Sequence, residues 1–167
     1  MHNELTQQDI QLMREELDYR RITLRPQLLE EVKTARAFGD LSENFEYKAA
    51  KQEKNRNESR IRYLENMIKT AVVISGEEAE DRVGLYDFVT VFMEEDEEEQ
   101  EYQIVTTVRQ DALKNRISKE SPFGKTVLGK GVGDRLWVQV NDSYGYYIVI
   151  RAIRKGADDC SIPINSF

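Results

Sequence analysis

The stretch Phe38-Gly39-Asp40-Leu41-Ser42-Glu43-Asn44-Phe45-Glu46-Tyr47 interrupts an otherwise continuous helical pattern, and its reading decides the fold. Between Thr6 and Thr70, Gly39 is the sole glycine and Pro26 the sole proline. Before the break, Ile10, Met13, Leu17, Leu24, Leu28 and Ala35 recur at steps of three, four or seven. After it, Tyr47, Ala50, Lys54, Asn57, Ile61, Leu64 and Ile68 alternate steps of three and four, the seam of a coiled coil. Two helices joined by so short a break pair only as an antiparallel hairpin. With arms of roughly thirty residues, the hairpin makes a finger about 40 Å long at 1.5 Å per residue. Pro26 lacks an N–H and clashes with the preceding turn, which predicts a bend within the first arm. Lys54 and Asn57 at seam positions predict a middle that packs less tightly than the base.

The period changes near residue 70. Ala71–Ile74, Phe88–Phe92, Glu101–Thr106, Leu136–Val140 and Tyr146–Ile150 are short β-branched and aromatic runs separated by charged or glycine-containing turns. Glu94-Glu95-Asp96-Glu97-Glu98-Glu99 reads as one turn and Asn141-Asp142-Ser143-Tyr144-Gly145 as another. Ser121-Pro122 opens a short helix with proline in its first turn. The expectation is a two-domain α+β chain: a coiled-coil hairpin over residues 1–74, then a small antiparallel sheet with one short helix over residues 75–167.

Composition narrows the chemistry. The 167 residues carry 40% hydrophobic and 33% charged residues and a formal net charge of −7. Such a chain is repelled by free nucleic acid, so contact with DNA or RNA requires a local basic patch or a partner that holds it. One cysteine, Cys160, and one histidine, His2, exclude an intrachain disulfide, a Ser-His-Asp triad, a Cys-His dyad and a multi-histidine zinc centre. No stretch has the apolar length of a membrane span and the first twenty residues do not read as a signal peptide, so a cytoplasmic protein is expected. Carboxylates, hydroxyls and Lys/Arg remain to carry function.

Asp40 and Glu43 admit two readings. As a local pattern they form a capping box, with Asp40 as N-cap, Glu43 folded back to its amide, and Gly39 ending the preceding helix. As carboxylates one turn apart at the end of a projecting finger, they can face one way and hold Mg²⁺ weakly, the remaining ligands coming from elsewhere. Along the second arm, Lys48, Arg56 and Arg62 fall on the side away from the seam. They read either as a solvated face with intrahelical ion pairs or as a guide for nucleic acid.

Ala35-Arg36-Ala37-Phe38-Gly39-Asp40-Leu41-Ser42-Glu43-Asn44-Phe45-Glu46-Tyr47 with Ala49-Ala50 resembles the finger-tip signature of the GreA/GreB elongation factors. Leu12-Arg14-Glu15-Glu16-Leu17 and Arg25-Pro26 before it, and Arg60-Ile61-Leu64-Glu65 after it, share the likeness. So do Ser121-Pro122, Leu128-Gly129-Lys130 and Gly133-Asp134. The resemblance runs in order over about residues 5 to 153. It implies an FKBP-like second domain and a finger that enters the secondary channel of RNA polymerase. There Asp40 and Glu43 would help hold the second Mg²⁺ of the polymerase active centre, and backtracked nascent RNA would be hydrolysed near its 3′ end. The chain itself would be a monomer and not an enzyme, with Asn44 and Tyr47 shaping the tip. Phe45 departs from the small residue usual in the family, and residues 155–167 extend beyond the match. These departures leave open a paralogue that docks in the same channel and only modulates or inhibits. A coiled-coil adaptor with a prolyl-isomerase-like domain is a third reading.

Overall fold

A computed structural model describes residues 3–39 and 44–166. The chain forms two compact units, one spanning Ile10–Val72 and the other combining the residues up to Asp9 with those from Val73 onward. The first residues thus belong with the C-terminal unit, whereas the sequence places them in the finger.

The finger is built from α1 (Gln7–Asp18), α2 (Arg25–Arg36) and α3 (Phe45–Thr70), with α1 starting in the C-terminal unit. At 26 residues α3 is about 39 Å long. Leu17, Leu28, Ala35, Ile61 and Leu64 are buried as the periodicity predicts, while Leu24 and Ile68 are only half-buried. Arg60 and Met67 join the buried face instead. The bend expected at Pro26 takes another form. Tyr19–Leu24 is π-helical, and the Arg25 N–H bonds back to the Arg20 carbonyl, five residues earlier. Pro26 then sits in the first turn of α2.

The middle of the finger is polar and crossed by hydrogen bonds. The Arg60 guanidinium grips Glu16 with two bonds (2.7 and 3.0 Å), Arg20 donates to the same carboxylate (2.7 Å) and to Asn57 Oδ1 (2.9 Å), and Arg25 makes a two-point contact with Glu58. Asn57 Nδ2 returns a bond to the Arg20 carbonyl (3.3 Å). Polar seam residues here fix which rung of one arm meets which rung of the other.

The C-terminal unit holds β1 (Glu4–Leu5), the chain re-enters it within β2 (Val72–Val73), and the Ile74 N–H donates to the Leu5 carbonyl (2.9 Å). Five further strands follow: β3 (Phe88–Met93), β4 (Glu98–Val105), β5 (Arg116–Ser118), β6 (Arg135–Asn141) and β7 (Tyr144–Arg154). They form one sheet in the order β5-β4-β3-β7-β6. Its pairs are antiparallel except β4 with β5, which run parallel, so the all-antiparallel expectation is corrected to a mixed sheet. The connection from β4 to β5 passes through two 3₁₀ turns, at Thr107–Arg109 and Ala112–Lys114. The expected short helix is α4 (Pro122–Val127), capped by Ser121, whose Oγ accepts from the Gly124 N–H. Phe123 and Val127 from α4 meet Val89, Val91, Ile104, Val138, Ile148 and Ile150 from the inner sheet face in one core.

Candidate functional site

At the end of the finger the two arms are joined by one side chain. α2 stops at Arg36, and a tightening turn follows in which Ala37 and Phe38 N–H groups reach the Thr34 and Ala35 carbonyls (3.2 Å each). Gly39 has φ +139°, a region that favours glycine because a Cβ is strained there. On the other side α3 begins at Phe45, and Asn44 is its N-cap: Oδ1 accepts from the Tyr47 N–H (2.9 Å). The Nδ2 of the same amide donates to the Ala35 carbonyl (2.7 Å), which also accepts the Phe38 N–H at the end of α2. The capping role assigned from sequence to Asp40 is therefore filled by Asn44. Asp40 and Glu43 themselves lie outside the described residues.

Around this joint, Arg36 donates to the Tyr47 hydroxyl (3.1 Å) and lies 5.3 Å from its ring centre. That hydrogen bond holds the Tyr47 phenol below its ordinary range. Phe38 and Phe45 are 71% and 79% exposed, an unusual investment of apolar surface at the end of a polar helix pair. Lys48 lies over the Phe45 ring, 5.7 Å from its centre. Ala35, Phe38 and Ala50 floor a groove of ≈ 470 Å³, with Glu30, Glu31 and Glu46 on its walls.

Lys48, Arg56 and Arg62 are all exposed on α3, on the side away from its buried face. They are strung along the helix and not gathered at one place, since eight and six residues separate them by about 12 and 9 Å. Arg56 is paired with Glu53 (2.7 Å) and Arg62 donates to Ser59 Oγ (3.1 Å). Arg60, a further basic residue of α3, is turned inward onto Glu16. Among the described residues no cluster of three or more His, Cys, Asp or Glu is placed to hold a metal.

Sequence reasoning missed a buried polar centre in the C-terminal unit. Thr6 and Asp9 form a true capping box at the start of α1, with Thr6 N–H to Asp9 Oδ2 (2.9 Å) and Asp9 N–H to Thr6 Oγ1 (3.2 Å). The other Asp9 oxygen lies 2.6 Å from Arg109 Nε, and Asp158 lies 2.7 Å from Arg109 Nη1, both at ion-pair distance but off the hydrogen-bond line. Arg109 is fully buried, and burial pushes the Asp158 carboxyl up. The Thr6-Gln7-Gln8-Asp9 spacing was the available signal for the cap; nothing local marks its distant partners.

The profile described as "Transcription elongation factor, N-terminal" matches residues 3–73, and that of "Transcription elongation factor, GreA/GreB, C-term" matches residues 78–154. The chain belongs to the GreA/GreB transcription elongation factor family. Among its relatives, "Transcription elongation factor GreA" of Thermoanaerobacter pseudethanolicus is 46% identical over 81% of this chain and 87% of its own length. The protein of that name from Clostridium kluyveri is 40% identical over 90% of this chain and 95% of its own. The solved structure of GreA factor homolog 1 (Gfh1) of Thermus thermophilus is 28% identical, covering 91% of this chain and 98% of that one at a TM-score of 0.40. In this Gre-family chain the N-terminal profile ends at the boundary between the two compact units, and the C-terminal profile stops where β7 does.

Proposed function

We propose that this elongation factor binds RNA polymerase, inserts its finger into the secondary channel and stimulates the polymerase's own hydrolysis of backtracked nascent RNA. Family membership supports the reading, and the observation that carries it is the Asn44 joint. The two arms are stapled at the residues flanking the segment that holds Asp40 and Glu43, so that segment is presented by a rigid support. Because Asn44 caps α3, neither carboxylate is required for that task. Asp40 and Glu43 are the residues that would hold Mg²⁺: carboxylate oxygens are the donors this hard cation takes, and two leave most of its six positions to the polymerase, the RNA and water. The ion, when bound, supplies activation and orientation of the attacking water. The protein is thus no enzyme alone; it lends ligands to one. Lys48, next to the joint, would guide the extruded RNA end, with Arg56 and Arg62 further along the arm. The factor works as a monomer in the cytoplasm.

The test is transcript cleavage. Stalled, backtracked polymerase complexes should release short 3′ RNA fragments when the protein is added. Asp40→Ala and Glu43→Ala should slow release by about 100-fold or more, the scale set by losing a charge partner of the reacting centre, while polymerase binding stays near that of the parent. Variants that cleave as well as the parent overturn the metal role. Slower elongation without any released RNA makes the protein a channel-docking regulator instead.

A further inference from the structure

The outer face of the C-terminal sheet carries a repeated contact between an arginine, an aromatic ring and a carboxylate. Along each strand the inner residues are core, so Trp137 and Tyr147, which flank buried Val138 and Ile148 and pair in register, face outward. On this face three guanidinium groups each cover an aromatic ring and lie within ion-pair distance of a carboxylate. Arg154 lies 3.8 Å from the Phe88 ring centre and bonds Glu101 (3.0 Å). Arg151 lies 5.1 Å from that of Phe92 and 3.9 Å from Glu99. Arg135 lies 3.7 Å from that of Tyr147 and takes Glu94 with two bonds (2.8 and 3.0 Å).

Trp137 breaks the series. Its indole is 45% exposed and no cation covers it among the described residues. The ring is nevertheless held: Tyr147 meets it edge-on at 4.8 Å, the indole N–H donates to Gln139 (2.6 Å), and it lies so close over Gly145 that an added Cβ would approach Cζ2 to 2.3 Å. At the same end of the sheet, the β3–β4 turn and the first residue of β4 carry Asp96, Glu97 and Glu98, which make no ion pair among the described residues. Tyr144, 44% exposed, is tied to that turn through Glu95 (2.6 Å).

We infer that this face, centred on Trp137, docks an arginine- or lysine-bearing segment of a protein partner. The ring and the carboxylates are the two halves of a contact that this face already makes three times with its own arginines, and here the cation is missing. Charge selects the occupant, because surplus acid repels a phosphate backbone and attracts a basic peptide. A rigid, half-exposed Trp beside Tyr residues is also what dominates protein interfaces energetically. The inference does not depend on the finger or on RNA cleavage.

Trp137 is the only tryptophan, so the intact chain reports on its own site. A synthetic peptide alternating arginine and leucine should change Trp137 emission saturably, and added salt should weaken it. The same peptide with glutamate for arginine, and an oligouridylate RNA, should not. By anisotropy of the labelled peptide, Trp137→Ala and Tyr147→Ala, which leave net charge unchanged, should each weaken binding by about tenfold, the scale of a lost cation–π contact. Asp96→Lys with Glu98→Lys should weaken it further. Gly145→Ala displaces the indole without removing it and should weaken binding too, while the far-ultraviolet spectra of all variants stay that of the parent. Equal binding by parent and the charge-neutral variants reduces the effect to general attraction and overturns the proposal. So does tighter binding of the RNA, or no saturable response.

Discussion

Asn44 uses both ends of one amide, and that economy sets what its replacement should do. The Oδ1 caps α3 and the Nδ2 ties it to the end of α2. Asn44→Ala loses both and should destabilise the finger by about 1–2 kcal/mol. Asn44→Asp keeps the acceptor and loses the donor, so it should recover the cap portion alone. Thermal unfolding of the two variants followed at 222 nm separates the contributions. At this scale the sequence was ambiguous for a physical reason. Asp and Asn are equally good N-caps, so Asp40 with Glu43 and Asn44 with its neighbours offer competing starts within five residues. Asn44 caps α3 and also finds a partner on the first arm, the Ala35 carbonyl, and that is a fact of pairing and not of local pattern.

Among the elements, the polar middle of the finger makes its stability depend on pH. Burial raises the Glu16 carboxyl, but the Arg60 and Arg20 hydrogen bonds outweigh it and the net shift is downward from 4.5. The Arg25 hydrogen bond likewise lowers Glu58. A carboxyl lowered in the folded state contributes stability that is complete above its unfolded value of about 4.5 and disappears as pH falls through the lower, folded value. Finger helicity should therefore hold from neutrality to about pH 5 and decline below it, and Glu16→Gln should flatten that part of the profile. Circular dichroism across an acid titration checks both. The seam was legible because helical periodicity is strong over such lengths; Asn57 was visible as a polar seam residue, but Arg60 was not, since a buried arginine shows only once Glu16 is placed opposite. The strand β5 escaped because three residues between charged turns carry no alternation to detect, and its parallel pairing follows from the 3₁₀ connection. Pro26 was read as a bend, whereas the chain accommodates it by a wider turn upstream.

For the molecule, the buried Asp9–Arg109–Asp158 centre joins three segments far apart in sequence, which is why a boundary drawn at residue 74 leaves the first nine residues in the wrong unit. Arg109→Met leaves two buried carboxylates without their counter-charge and should cost about 3–5 kcal/mol, read as a lower urea midpoint of the C-terminal unit. Residues past Arg154, beyond the family profile, prove to be part of this unit. Lys155 is held by Asp87 and by the carbonyls of Ala79 and Arg82, Ile162 enters the core, and the Asn165 N–H donates to the Val108 carbonyl (2.8 Å). The order in which the ribosome makes these pieces then matters. The finger arms have every partner in hand once Val72 is made, and can pair while translation continues. The C-terminal unit must wait for Asp158 and Ile162, so Arg109 and its first carboxylate spend the synthesis of some fifty residues without the third member. In a nascent chain the reaching part is finished first, and the part that carries it closes only after its tail has been delivered.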